Sequence, residues 1–150
     1  MKLIIQRVTS AKVEIDNQIN GQIDKGYLIL LGIAQNDTTE DIKWLINKIC
    51  KLRIFNDTNA KMNLSITDVD GEVLLISQFT LFASTKKGNR PSFTKSAKPD
   101  IAIPLYEHFI KSLSEKLGKQ IETGEFGADM QVSLTNDGPV TITIDTENKD

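Results

Sequence analysis

Tyr27–Ala34 is a nearly continuous apolar run, interrupted only by Gly32. A run this short and this apolar reads as a strand covered on both faces, since a half-exposed strand would alternate. Whatever the chain folds into must supply cover from two sides. The preceding residues are strand-like as well. Leu3–Val8 and Lys12–Ile15 are rich in β-branched residues, and Asn17–Gly21 carries turn chemistry. Beyond the run, Asp37 or Thr38 can cap a helix, with Glu40 and Asp41 suited to its positive end. Ile42, Leu45, Ile46, Ile49 and Leu52 then recur at helical spacing and give one apolar stripe. Leu64–Val69, Asp70-Gly71 and Glu72–Leu81 read as a hairpin with a tight turn.

Ser84 to Lys98 is polar and irregular. A second helix is expected from Pro99 to Leu117, closed by Gly118, with Leu105, Phe109, Leu113 and Leu117 on one face. Pro104 lies early in it and is expected to delay or bend its first turn. The C-terminal part reads as two alternating strands, Met130–Thr135 and Val140–Asp145, around Asn136-Asp137-Gly138-Pro139. No repeat, low-complexity tract or linker divides the chain. The expectation is one α+β domain over residues 1–150, with many antiparallel strands and two helices.

Composition narrows the chemistry. No run of about 18 apolar residues exists, so no membrane span or membrane partner is expected. Met1–Arg7 lacks the features of a signal peptide and reads as the first strand. The single cysteine, Cys50, forbids an intrachain disulfide and suits a reducing cytoplasm. One cysteine and one histidine make a conventional zinc site improbable, so no metal or cofactor is expected. Cys50 sits beside an apolar stripe and reads as a buried, inert thiol. His108 reads as a solvated surface residue. A Ser-His-Asp or Cys-His engine is thereby disfavoured, and no glycine-rich phosphate loop is present. Chemistry here must come from backbone donors, a hydroxyl or the substrate. The net charge of −2 provides no global basic field, so a nucleic acid would need a local patch.

Two segments stand out. In Ser77-Gln78-Phe79-Thr80-Leu81, polar residues interrupt the end of an apolar strand. They are either a functional element or hydroxyls that only bond to backbone. Asn136-Asp137-Gly138-Pro139-Val140-Thr141 is either a plain hairpin turn or something more specific. Taken together, the two resemble the SQFTL and NxGPVT motifs of the D-aminoacyl-tRNA deacylases. Ile5–Val8, Leu52–Phe55, Lys61–Ser65, Lys87–Phe93 and Thr123–Met130 resemble that family too, in the right order.

The resemblance implies antiparallel sheets in a barrel-like core covered by two helices, and a homodimer with its active site at the subunit interface. It implies hydrolysis of the ester joining a D-amino acid to tRNA, with glycyl-tRNA also cleaved. Ser77, Gln78, Phe79 and Thr80 would be the catalytic strand. Backbone N–H groups around Phe79 and Thr80 would donate to the oxyanion. Thr80 would orient rather than attack, because no histidine is available to activate it. Gly138 and Pro139, joined by a cis bond, would enter the partner's pocket and exclude L-residues. Phe126 would line an adenosine pocket, and Ala102 would offer a carbonyl to the substrate amine. Independently of the resemblance, Lys86, Lys87, Arg90, Lys95 and Lys98 give the stretch after the SQFTL motif a charge of +5 with no acid. Lys86, Lys87 and Arg90 are therefore expected to hold phosphates of the tRNA acceptor end. No DNA partner is expected.

Overall fold

The structure, a computed structural model, describes residues 1–149. Its centre is β3 (Gly26–Gly32), the apolar run foreseen above. β1 (Lys2–Ile15) lies antiparallel to it, and β6 (Glu72–Ser77) lies parallel on the other side. β2 (Gln18–Ile23) and β7 (Glu122–Thr123) extend this sheet to the order β2-β1-β3-β6-β7, and β8 (Gln131–Asp145) pairs with β1. The side-chain amide of Asn20 on β2 donates to the Thr123 carbonyl on β7 at 2.8 Å, so the sheet curls until its two ends nearly meet.

Two apolar clusters explain this arrangement. Tyr27, Ile29 and Leu31 of β3 and Val73 and Leu75 of β6 point into one; Leu28, Leu74 and Ile76 point into the other. Strands buried on both faces favour the middle of a sheet and tolerate parallel pairing. β1 serves both clusters. Leu3 and Ile5 enter the first cluster, and Val8, Ala11 and Val13 the second. A register shift between Val8 and Ser10 lets Ala11 and Val13 share the face of Val8.

Two helices cover the first cluster. In α1 (Thr39–Lys51), Ile42, Leu45, Ile46 and Ile49 face inward as foreseen. The Asp41 carboxylate accepts from the Thr38 N–H at 2.9 Å. In α2 (Pro99–Leu117), Ala102, Tyr106, Phe109 and Leu113 are buried. Pro99 occupies the first turn and Gly118 ends the helix at φ 69°. Pro104 does not delay this helix, which runs unbroken from Pro99 through it and forgoes one ladder bond, to the Asp100 carbonyl. Cys50 is buried, and burial pushes its thiol up, against a smaller opposing pull from Lys116. His108 is exposed. No helix among the described residues is long and apolar enough to cross a membrane.

Three expectations need correction. The sheet is mixed rather than purely antiparallel, because β3–β6 and β6–β7 are parallel. The hairpin of Leu64–Val69 with Glu72–Leu81 does not form. β5 (Met62–Leu64) pairs instead with β4 (Phe55–Asn56), and β6 joins β3. Burying both faces of Val73–Ile76 outweighs the local turn signal. Finally, Met130–Thr135 and Val140–Asp145 are not two strands of a hairpin. Both belong to β8, which follows β1 along its length.

Candidate functional site

β6 stops at Ser77, opposite Leu31. The Gln78 N–H still reaches the Leu31 carbonyl at 2.8 Å, and the chain then tightens into a 3-10 turn over Phe79–Phe82. Phe82 is buried and anchors the turn. Gly32 makes room for it: a Cβ there would lie 3.1 Å from the Gln78 carbonyl and 3.0 Å from the Leu81 Cβ. The Leu81 N–H donates to Gln78 O at 3.3 Å and the Ala83 N–H to Thr80 O at 3.0 Å. The amides of Phe79 and Thr80 open the turn, where a 3-10 helix offers no internal acceptor. Neither donates within the described residues. The Gln78 side-chain amide donates to the Thr80 hydroxyl.

Beside this turn lies a cavity of about 270 Å³, lined among others by Ser77, Gln78, Phe79, Ala102 and Phe126. Five residues singled out in the sequence thus converge on one space. No lining residue carries an ionisable side chain. Thr80 is exposed at the edge and does not line the cavity. Phe126 leans on Tyr106, with ring centroids 5.9 Å apart. Tyr106 in turn donates to the Leu75 carbonyl at 3.2 Å, and burial pushes its phenol up to about 12. Ala102 is buried in α2, where its carbonyl belongs to the helical ladder. A substrate amine would have to use that oxygen's second lone pair. A larger cavity, about 610 Å³, opens between β1, β8 and α1 near Trp44. It contains one residue of the two motifs, Leu81, together with Ile142 and Thr143 just beyond the second motif.

Gly138 and Pro139 lie in a bulge of β8, and the bond between them is cis. Four residues, Asp137–Val140, stand opposite the single residue Arg7, since Gln6 pairs with Thr141 and Val8 with Asn136. Arg7 is buried. It donates through Nε to the Asp137 carbonyl at 2.9 Å and through Nη1 to the Ile54 carbonyl at 2.6 Å. The Asn136 carboxamide closes the bulge, its Oδ1 accepting from the Val140 N–H at 2.7 Å. Gly138 has φ 137°, and a Cβ on it would lie 2.9 Å from Val140 Cγ2. Both Gly138 and Pro139 are exposed. They do not line the chain's own cavity. Tyr27, level with Arg7, is four residues from Leu31, or about 13 Å along the strand. β8 and β6 are separated by β1 and β3, which adds roughly 14 Å across the sheet.

The basic segment folds over the same end as the cavity. Ser84 and Ser92 exchange N–H···O bonds of 2.8 and 3.0 Å, which pinch off a loop at 85–91. Lys86, Lys87 and Arg90 are exposed on that loop, and Lys95 and Lys98 are exposed beyond it. Sequence reading gave no individual role to Arg7 or Phe93. Arg7 had a signal: it continues the inward phase of Leu3 and Ile5, where a guanidinium requires carbonyl partners.

The comparisons agree with this fold. A family model described as D-Tyr-tRNA(Tyr) deacylase matches residues 4–145. The chain is 61% identical to a Bacteroides fragilis D-aminoacyl-tRNA deacylase over 150 residues, covering 100% of both chains. It is 59% identical to the Flavobacterium johnsoniae D-aminoacyl-tRNA deacylase, again over 100% of both. Among solved structures, "c-Myc DNA Unwinding Element Binding Protein" superposes with a TM-score of 0.92 at 38% identity, covering 97% of this chain and 99% of that one. A probable eukaryotic D-amino acid tRNA deacylase shares the fold at 14% identity, with a TM-score of 0.83, covering 95% of this chain and 97% of that one. Fold and site define a small α+β protein whose cavity is lined by backbone and neutral side chains. The chain belongs to the D-Tyr-tRNA(Tyr) deacylase family, whose members are hydrolases of an ester bond.

Proposed function

We propose that this chain, as one domain over residues 1–150, hydrolyses the ester of D-aminoacyl-tRNA in the cytoplasm, where charged tRNA is used. The observation that supports this most is a cavity without ionisable lining, bordered by two amides that lack acceptors. Water attacks the acyl carbon, and the carbonyl oxygen becomes an oxyanion held by the Phe79 and Thr80 N–H groups. The bond to the ribose 3′-oxygen then breaks, and that oxygen leaves with a proton. The substrate's 2′-hydroxyl positions or activates the water, which suits a site with no base of its own. Thr80, held by Gln78, orients rather than attacks. Ser77 polarises the pocket, Phe126 borders the adenosine, and Ala102 faces the amine. Lys86, Lys87 and Arg90 hold acceptor-end phosphates.

Handedness is read by a second copy of the chain. Gly138 and Pro139 lie far from their own cavity and exposed, so they are free to enter a partner's. Their backbone carbonyls form a wall that cannot swing aside, against which an L-side chain collides. A D-side chain points outward, and glycine has nothing to collide, so glycyl-tRNA is cleaved as well.

Three substrates test the activity: D-tyrosyl-tRNA, L-tyrosyl-tRNA and free D-tyrosine ester. Rapid loss of the first alone is expected. Loss of the free ester would point to a small-molecule esterase, and no loss at all to an RNA-binding module. Retained activity in Thr80→Ala would exclude a threonyl intermediate. Lys86, Lys87 and Arg90 changed together to Glu should weaken tRNA binding and its salt dependence. Duplex DNA, tested as a competitor at equal phosphate, should displace tRNA poorly. For the shared site, an excess of inactive Gln78→Ala chain mixed with an unselective Gly138→Ala chain should restore rejection of L-tyrosyl-tRNA; no restoration would place both elements in one subunit.

A further inference from the structure

The exposed ring of Phe79 is not alone at the cavity mouth. Phe93, on the basic segment, meets it edge to face, with centroids 5.1 Å apart and planes at 73°. Phe93 is itself fixed from both sides. Ser92 is pinned to Ser84, the Ser96 N–H donates to the Phe93 carbonyl at 3.0 Å, and the Ala97 N–H donates to Ile33 at 2.8 Å. Ser96 and Ala97 line the same cavity as Phe79. One short stretch therefore carries the phosphate-facing cations at one end, the cavity wall at the other, and between them a ring against the residue whose amide borders the cavity. Phe79 is 54% exposed, so apolar burial alone does not fix its place.

We propose that Phe93 is a positioning residue: its ring holds Phe79, and through it the Phe79 and Thr80 amides, in the arrangement that receives the oxyanion. Edge-to-face rings prefer a particular geometry, which apolar filling does not impose. This inference rests on the deacylase reading above. It adds that a residue outside both motifs governs turnover without governing tRNA affinity.

The test uses the full-length protein with D-tyrosyl-tRNA and the variants Phe93→Ala, Phe93→Leu and Phe93→Tyr. Phe93→Ala should lower kcat about tenfold, the rate equivalent of the upper range for an aromatic pair. KM should stay within about twofold, since the phosphate contacts remain. Phe93→Tyr, which keeps the ring, should restore kcat; Phe93→Leu, which keeps only apolar bulk, should not. An unchanged kcat in Phe93→Ala, equal rescue by Leu, or a rise confined to KM would each overturn the proposal. A second measurement requires no activity. Amide exchange at Leu81 and Ala83, which report on the turn, should quicken in Phe93→Ala while β6 and α2 stay protected. Unchanged exchange overturns the proposal even if the wild-type protein deacylates nothing, whereas wild-type inactivity with quickened exchange overturns only the deacylase reading.

Discussion

Ser77–Thr80 and Asn136–Val140 both interrupt a strand, and different forces hold them. The first ends a strand buried on both faces, and apolar packing of Leu75, Ile76 and Phe82 fixes its turn. The second bulges from β8, whose one ladder partner is β1, and polar bonds from Arg7 and Asn136 fix it. Apolar burial is non-directional and secures a cavity's volume. Hydrogen bonds are directional and secure where a carbonyl points. A cavity needs the former, and a carbonyl that must point one way needs the latter.

The contrast can be broken by mutation. Leu75 is fully buried, and Leu75→Ala should cost about 2–5 kcal/mol, read from the denaturation midpoint at constant m-value. Arg7→Ala leaves the Ile54 and Asp137 carbonyls without their donor and should cost about 2–3 kcal/mol. If Arg7→Ala costs under about 1 kcal/mol, polar bonds do not hold the bulge and the division into packed and bonded regions is wrong. Gly138→Ala should cost about 1–2 kcal/mol, because φ 137° is glycine territory and the new Cβ meets Val140. Its loss of chiral selectivity should exceed its loss of stability, which parallel assays on L- and D-tyrosyl-tRNA would show.

The smallest effect sharpens the comparison at a site outside both regions. The Ser65 backbone N–H, and after it the Ser65 hydroxyl, hold the Asp68 carboxyl below its ordinary 3.8. A lowered folded value gives stability that is present above the unfolded value and lost as pH falls through the folded one. Asp68→Asn should therefore lower stability slightly above about pH 4 and leave the acid end unchanged, so that the acid limb flattens in a urea series. The cavity has no such group, so kcat should show no enzyme-derived inflection between about pH 6 and 8.

Much of this was readable from the sequence because it is local. Tyr27–Ala34 announced a doubly covered strand, and both helical stripes fell where the periodicity put them. The motifs marked Ser77, Gln78 and Phe79 as neighbours, and the resemblance added Ala102 and Phe126 to the same cavity. What escaped is non-local. Asp70-Gly71 does turn the chain, but the strand after this turn joins β3, across the intervening α1. Asn136–Pro139 has the composition of a hairpin turn, since bulges and turns ask for the same residues. Only the length of β1 opposite it decides between them. Phe93 needed the fold, because nothing in its sequence neighbourhood points to Phe79.

β1 joins the two regions, and this makes it a ruler. Deleting one residue from it would turn Leu3 and Ile5 outward and fail at once. Adding two would keep every side chain on its proper face, yet displace the bulge by about 7 Å relative to the cavity. Such a protein would fold with its cavity intact, yet carry Gly138 and Pro139 out of place. Insertions should thus be tolerated at the 57–61 and 85–91 loops, while the strand between the two halves keeps its length.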